Sequence, residues 1–348
     1  MKLGNRLIGP TCRPYIIAEM SGNHNQSLEK ALQIVELAAE CGVDALKIQT
    51  YTADTITLNA ETDDFVITNP NSLWKGRTLY DLYQEAHTPW DWHEAIFKRA
   101  EELGVTIFSS PFDETAVDFL ESLNAPFYKI ASFENVHLPL IKKVAQTGKP
   151  IIMSTGMASV TELAEAVATA RDNGCKELVL LKCTSNYPAS PENSHVATIP
   201  HMRTLFSCEV GLSDHTLGIG AAIAAVALGA TVIEKHFTTS RAEGGVDSAF
   251  SLEPAEMKAL VVESERAWQA IGSVSYGPTA LEKPAMKSRR SIYIAKDVRA
   301  GEVLTPENVR VVRPGMGLAP KYYEFILGKR IKQDAALGTA LNWDLLLD

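Results

Sequence analysis

A chain of 348 residues exceeds one small domain and fits a barrel of about 250 residues followed by a short second domain. Its 46% hydrophobic content is ordinary for a globular protein, and no apolar run approaches the roughly 20 residues that cross a bilayer, so no membrane partner is expected. A net charge of −9 argues against nucleic acid as a partner, although a local cluster of cations can still hold an anionic substrate.

In chain order, the stretch Met1 to Arg6 lacks the apolar core of a signal peptide. Cys12, Cys41, Cys175, Cys183 and Cys208 are odd in number and show no C-x-x-C spacing. They read as reduced thiols, which predicts a cytoplasmic protein without a disulfide or zinc framework. Eight short apolar or β-branched runs predict strands at 14–19, 43–48, 105–109, 127–130, 150–153, 178–183, 208–213 and 231–236. Each ends in a polar cluster: Ala18-Glu19-Met20-Ser21, Lys47-Ile48-Gln49-Thr50, Ser109-Ser110-Pro111, Lys129-Ile130-Ala131-Ser132, Ser154-Thr155-Gly156, Lys182-Cys183-Thr184-Ser185, Ser213-Asp214-His215 and Glu234-Lys235-His236.

Helical patterns lie between the runs. Leu28 to Ala39 follows Ser27 as an N-cap, Thr161 to Ala170 has the same apolar spacing, and Cys41-Gly42 and Asn173-Gly174 look like helix stops. Strands alternating with helices imply a parallel sheet. A doubly wound open sheet is the alternative, but eight repeats with polar strand ends favour a closed (β/α)8 TIM barrel, whose active site sits at the C-terminal ends of its strands. The interval from Lys47 to Ser109 is roughly double the others. Its surplus, residues 51–88, holds Trp74, Tyr80, Tyr83 and His87 and reads as a lid or a surface excursion packing its own aromatics.

The barrel domain is expected to span 1–275, with a Gly/Pro/Ser-rich linker at 276–288 and a small β-rich domain at 289–348. In that domain, Ser291 to Ala295 predicts a strand, and Thr305-Pro306 predicts entry into a short helix with Pro at its first position.

Two-residue spacing on a strand puts Ser213 with His215, and Glu234 with His236, on one face. Two imidazoles at a barrel mouth suit a divalent metal with open coordination positions, Mn²⁺, Co²⁺ or Fe²⁺ at least as well as Zn²⁺. The plainer alternative is a pair of hydrogen-bonded or acid/base histidines. Lys47 and Lys129 lie in strands, where charge is costly unless paired. Converging at the mouth they would bind a phosphate or carboxylate, with Ser132, Ser154 and Ser213 completing the anion site. A Schiff-base lysine, or an ion pair closing the barrel, are the alternatives. Strict alternation turns Lys235 away from Glu234 and His236, while Lys182 is ambiguous. Glu19 and Glu234 read as general acid/base candidates or as counter-charges to the lysines. Asp247, on the loop after the last strand, is placed to catch a sugar hydroxyl.

Together and in this order, these clusters resemble the sialic acid synthase family, phosphoenolpyruvate-dependent synthases of nine-carbon 2-keto sugar acids. The likeness covers essentially the whole chain, and the tail from Ser288 resembles the family's antifreeze-like (SAF) domain. Ala18-Glu-Met-Ser-Gly-Asn-His-Asn25, Lys47-Ile-Gln-Thr-Tyr-Thr-Ala-Asp54 and Ala86-His-Thr-Pro-Trp-Asp-Trp-His93 are most similar to the branch that makes pseudaminic acid.

The resemblance implies a metal, Mn²⁺ with Co²⁺ or Mg²⁺ as alternatives, on His215 and His236. It implies phosphoenolpyruvate on Lys47, Lys129, Ser132, Ser154 and Ser213, and Glu19 and Glu234 as catalytic carboxylates. Gln49, Glu134, Tyr187 and Asp247 would contact an amino-sugar acceptor, expected to be 2,4-diacetamido-2,4,6-trideoxy-L-altrose. The protein would be a domain-swapped homodimer, with the partner subunit's Arg313 reaching the sugar's N-acyl group.

One departure stands out: Ser185, in Cys183-Thr184-Ser185-Asn186-Tyr187, occupies a position where sialic acid synthases carry Asn, which weakens N-acetylmannosamine as the acceptor. Two other readings compete: a metal-dependent or Schiff-base aldolase on the same barrel, and a carbohydrate- or ice-binding protein suggested only by the tail. Ice binding fits poorly with a tail carrying Arg289, Arg290, Lys296, Arg299, Arg313, Lys329 and Arg330.

Overall fold

The structure, a computed structural model, describes residues 1–70 and 72–347. Asn71, inside the expected 51–88 insertion, and Asp348, the last residue of the expected second domain, lie outside the described residues. The chain divides into two compact units, Met1–Gly272 and Ser273–Asp348.

The first unit is a closed barrel of eight parallel strands: β1 (Tyr15–Glu19), β2 (Ala45–Thr50), β3 (Thr106–Pro111), β4 (Tyr128–Ile130), β5 (Ile151–Ser154), β6 (Leu178–Cys183), β7 (Glu209–Asp214) and β8 (Val232–His236). Each strand pairs with the next, and β8 returns to β1 with Val232 opposite Tyr15 and His236 opposite Glu19. This is the (β/α)8 architecture the strand-end clusters predict, and the open doubly wound sheet is excluded.

Side chains alternate faces along each strand. Ile16, Ala18, Leu46, Ile48, Ile107 and Ile130 face outward and bury against helix residues such as Ile34, Val35 and Ala38. Tyr15, Ile17, Ala45, Phe108, Phe127, Ile152, Val179 and Val232 form a separate inner cluster, joined by Leu3 and Ile8 from the N-terminal hairpin. The inward series becomes polar toward the C-terminal strand ends: Glu19, Lys47, Ser110, Lys129, Ser154, Ser213 and Glu234 are all buried there. Packing and chemistry thus divide the barrel interior along its axis.

Local signals set the helices. Ser27 accepts from Lys30 N at 3.2 Å at the start of the Leu28–Cys41 helix, and Gly42 ends it in the left-handed region with φ +79°. The Val160–Asp172 helix opens with a capping box between Ser159 and Glu162.

Gly211, in β7, is required by close approach. A Cβ there would lie 2.1 Å from Val232 O and 2.7 Å from a Leu181 methyl. Gly211→Ala is therefore expected to destabilise the barrel by about 1–3 kcal/mol, read as a lowered urea midpoint. An unchanged midpoint would mean that β7 and β8 can separate freely.

The 51–88 insertion holds the short helices Ala53–Ile56 and Leu79–Ala86. It does more than pack its own aromatics. Trp74 Nε1 donates to Val246 O at 3.1 Å, so the insertion fastens to the loop after β8. No helix among the described residues is long and apolar enough to cross a membrane.

In the second unit, β9 (Ser291–Ile294) pairs antiparallel with β10 (Val309–Val312) over a core that includes Ile292, Leu304, Ile326, Ile331 and Leu341. Residues 272–288 are exposed throughout. The short helix expected at Thr305-Pro306 is instead a single turn. Asn308 Oδ1 captures Thr305 N at 2.7 Å and its amide donates to Val303 O at 3.0 Å, which turns the chain straight into β10.

Candidate active site

The floor of the barrel mouth is a cluster of two ammonium groups and two carboxylates. Glu19 is 0% exposed, Lys129 2%, Glu234 3% and Lys47 4%. Lys129 Nζ donates to both Glu234 oxygens, at 2.8 and 2.9 Å. Lys47 Nζ lies 3.1 Å from Glu234 Oε1 and 3.2 Å from Glu19 Oε2. The Lys47–Glu19 contact is an ion pair off hydrogen-bond geometry, so Glu19 Oε2 has no hydrogen-bond partner. Ser213 Oγ donates to Glu234 Oε1 at 3.2 Å, and Gln49 Nε2 donates to Glu19 Oε1 at 2.8 Å.

These surroundings push the two carboxylates in opposite directions. Burial would raise Glu234, but Lys129 and Lys47 outweigh it and hold the carboxylate well below its usual range. Burial raises Glu19, Lys47 offsets this only in part, and the neighbouring Glu234 charge adds to it. Burial alone would lower Lys47, yet Glu19 and Glu234 lift it above its usual value. Two carboxylates driven apart in one cavity are the arrangement from which acid and base roles are assigned. Burial also pulls Lys129 below its usual value, although Glu234 opposes this. Two lysine amines beside one strongly acidic carboxylate and a Glu19 pushed toward its neutral form make a cluster suited to an anion.

The hydroxyls line up around this floor. Ser132 Oγ accepts from Ser185 at 2.7 Å, and Ser154 Oγ is buried without a partner. Asn135 fixes the end of β5 by donating to Ser154 O and Thr155 O at 3.1 and 2.7 Å. Ser110 was not singled out from sequence as a binding residue. It is 0% exposed on the inward face of β3, opposite Gln49 in register, and its Oγ is unpartnered. Its parity with Phe108 on a predicted strand was the available signal. Glu134 sits in the turn after β4 with an unpartnered oxygen, and burial pushes its carboxyl up to about 7 despite Lys47 and Lys129.

The histidines take the next inward positions, His236 at the end of β8 and His215 directly after β7. Their ring centroids are 5.3 Å apart. His215 Nδ1 meets Thr184 O at 2.9 Å, which orients the ring. His236 Nδ1 is buried without a hydrogen-bond partner and lies 3.7 Å from Asp247 Oδ2, which itself accepts from Ser21. Burial, His215 and Lys47 hold His236 well below its usual range, so it is neutral and available as a ligand. Among the described residues no three His, Cys, Asp or Glu side chains form a metal-holding group. Burial would lower His215, but Cys183 and Thr184 O outweigh it and raise it, so a cation there would compete with a proton. By residue type the donor set fits a cation held by two imidazoles with the remaining positions left to water or substrate.

Tyr187 covers this pair, its ring centroid 4.5 Å from His215 and 5.3 Å from Phe250. Trp74, from the insertion, lies 6.1 Å from Tyr187. Lys235 turns out of the barrel, as alternation requires, and pairs with Asp214 at 2.7 Å. Lys182 is half-buried and donates to Cys183 O at 3.0 Å. The barrel thus brings together Glu19, Lys47, Gln49, Lys129, Ser132, Glu134, Ser154, Tyr187, Ser213, His215, Glu234, His236 and Asp247. Arg313 lies in the second unit, exposed, directly after β10. All five cysteines are free thiols.

A barrel mouth of this kind belongs to an enzyme that holds a small anion beside an electrophile. The chain belongs to the NeuB family, whose model matches residues 34–276, and a SAF domain model matches residues 289–347. It is 42% identical over 345 residues to a pseudaminic acid synthase of Campylobacter jejuni, covering 98% of each chain. It is 42% identical over 333 residues to a pseudaminic acid synthase of Helicobacter pylori, covering 95% of this chain and 97% of that one. Among solved structures, the N-acetylneuraminic acid (sialic acid) synthetase of Leptospira borgpetersenii, crystallised with citrate, matches with a TM-score of 0.73 at 29% identity. It covers 82% of this chain and 94% of that chain. The family and fold expected from the sequence motifs therefore hold.

Proposed function

We propose that this chain is a pseudaminic acid synthase. It condenses phosphoenolpyruvate with 2,4-diacetamido-2,4,6-trideoxy-L-altrose and water, releasing phosphate and forming a nine-carbon 2-keto sugar acid. The observation that carries this reading is that Lys47 and Lys129 both pair with Glu234, which stands on the strand that also bears His236. It sets an anion site and a ligand imidazole side by side.

In this reading Lys47 and Lys129, with Ser132, Ser154 and Ser213, hold the phosphate and carboxylate of phosphoenolpyruvate and stabilise the departing phosphate. C3 of phosphoenolpyruvate attacks the aldehyde carbon of the open-chain sugar, and water adds at C2. Glu19, which burial pushes toward its neutral form, exchanges the proton at the reacting centre, and Glu234, held ionised by the lysines, stabilises the positive charge that develops at C2. His215 and His236 would hold a divalent ion, Mn²⁺ or else Co²⁺ or Mg²⁺, which when bound supplies Lewis-acid polarisation of a carbonyl oxygen. Gln49, Glu134, Tyr187 and Asp247 orient the sugar, so that positioning supplies much of the rate. The partner subunit's Arg313, in a domain-swapped homodimer, reaches the N-acyl group. The enzyme works in the cytoplasm, in keeping with five free thiols. A Schiff-base route has no support at Lys47, which Glu19 and Glu234 lift above its usual value; at Lys129, which burial lowers, both Glu234 oxygens already occupy the amine.

The test incubates purified protein with phosphoenolpyruvate, Mn²⁺ and, separately, the L-altrose sugar, its legionaminic-type stereoisomer and N-acetylmannosamine. Phosphate release should be fastest with the L-altrose sugar. Fastest release with N-acetylmannosamine would overturn the assignment.

A further inference from the structure

Behind the mouth, on the outer face of the barrel, Lys235 and Asp214 form an ion pair with side chains 0% and 1% exposed. The proposed catalytic steps do not use it, and neither charge faces the cavity. Its placement is specific. Asp214 immediately precedes His215 on β7, and Lys235 immediately precedes His236 on β8. In register the two residues are direct cross-strand partners.

Lys235 Nζ donates to Asp214 Oδ2 at 2.7 Å and to Thr216 O at 2.6 Å, while Asp214 Oδ1 accepts from Thr216 N at 2.9 Å. One ammonium and one carboxylate therefore clamp the backbone on both sides of His215 to the residue beside His236. His215 is further held by its ring contact to Thr184 O, a side-chain hydrogen bond with Cys183, the Tyr187 ring 4.5 Å away, and its own carbonyl, which accepts from Ala189 N at 2.9 Å. The His236 ring has no hydrogen-bond partner at Nδ1. The spacing of the two imidazoles thus depends on the two strand ends as well as on the Tyr187 and Phe250 rings against them, and the clamp links those ends on the outer face as Ser213 and Glu234 link them on the inner one.

Energetics favour this role over a stabilising one. A fully buried ion pair is about neutral for stability when both partners are replaced together, because desolvation offsets its attraction, whereas removing one partner leaves an isolated buried charge. What such a pair supplies without substitute is geometry. Groups one layer behind metal ligands commonly alter affinity by about 10- to 100-fold through ligand orientation alone.

We infer that Lys235 and Asp214 are a positioning pair that fixes the His215–His236 spacing for a divalent cation. The inference rests on the proposed metal role of those histidines. The experiment measures Mn²⁺ binding itself, by the loss of the free-ion electron paramagnetic resonance signal, in the full-length wild type, Asp214→Asn/Lys235→Met, Lys235→Met and His236→Ala. Urea midpoints and saturation by phosphoenolpyruvate are read in parallel. The expected result is Mn²⁺ binding by wild type, its loss in His236→Ala, and binding about 10- to 100-fold weaker in the double variant. The double variant should keep its urea midpoint and its apparent affinity for phosphoenolpyruvate, and Lys235→Met alone should also lose stability. Wild-type Mn²⁺ affinity in the double variant would overturn the inference. So would failure of the double variant to fold, since the pair would then serve the barrel as a whole. Absence of Mn²⁺ binding in wild type would instead sink the metal reading, and the inference with it.

Discussion

Lys129→Met is expected to lower kcat/KM for phosphoenolpyruvate by about 10²–10³-fold and to destabilise the barrel by about 3–5 kcal/mol. The two losses have different origins. The kinetic one follows from removing a cation aimed at an anionic substrate in a cavity that excludes water. The stability loss follows from what remains: Glu234, 3% exposed, would keep only Lys47 and Ser213 as partners after losing both bonds to Lys129. A second change separates them. Glu234→Gln removes the stranded charge but leaves Lys47 with Glu19 as its remaining carboxylate, so Lys129→Met/Glu234→Gln should recover part of the stability and none of the activity. Urea denaturation and steady-state phosphate release measure the two readouts. Wild-type stability in Lys129→Met would show that Glu234 does not depend on Lys129 for its charge, and the assignment of opposite protonation states would fall with it.

Much of this site was legible in the sequence because strand geometry is periodic. Two-residue spacing places Ser213 with His215 and Glu234 with His236, and it turns Lys235 outward; the structure follows each of these. The β-branched runs that end in polar clusters mark the C-terminal strand ends directly. What stayed hidden depends on contacts across the barrel. Whether Glu19 or Glu234 is the proton donor is set by distances from β1 and β8 to lysines on β2 and β4, which no local pattern encodes. Ser110 carries no charge, its parity with Phe108 is shared by any inward strand residue, and its burial without a partner is what marks it. The turn at Thr305-Pro306 was misread because Pro suits both a helix start and a turn, and the deciding group is the amide of Asn308.

Glu19→Gln is expected to raise stability at neutral and alkaline pH while lowering kcat by about 10²–10⁴-fold. The sign follows from linkage. Burial raises the Glu19 carboxyl above its unfolded value of about 4.3, so its contribution is fully present below that pH. That contribution is lost as pH rises through the folded value, because the fold resists ionising the group. Glu234 runs the other way. Its folded value is depressed, so its contribution is present above the unfolded value and is lost only as pH falls through the depressed one. Glutamine at position 19 keeps an oxygen for Gln49 Nε2 but cannot ionise. The variant should therefore lose the Glu19 share of the decline with rising pH, while Glu134 and Asp247, also raised by burial, keep theirs and Glu234 keeps its acid decline. Urea midpoints taken from about pH 4 to about pH 9 would show the curves of variant and wild type diverging as pH rises. Parallel curves would mean that Glu19 is already ionised at no penalty, which would remove it as the proton donor. A substitution that strengthens the fold and silences the reaction marks a group held in an unfavourable state for its chemistry, and among the carboxyls that burial raises in this barrel Glu19 is the one in contact with Lys47.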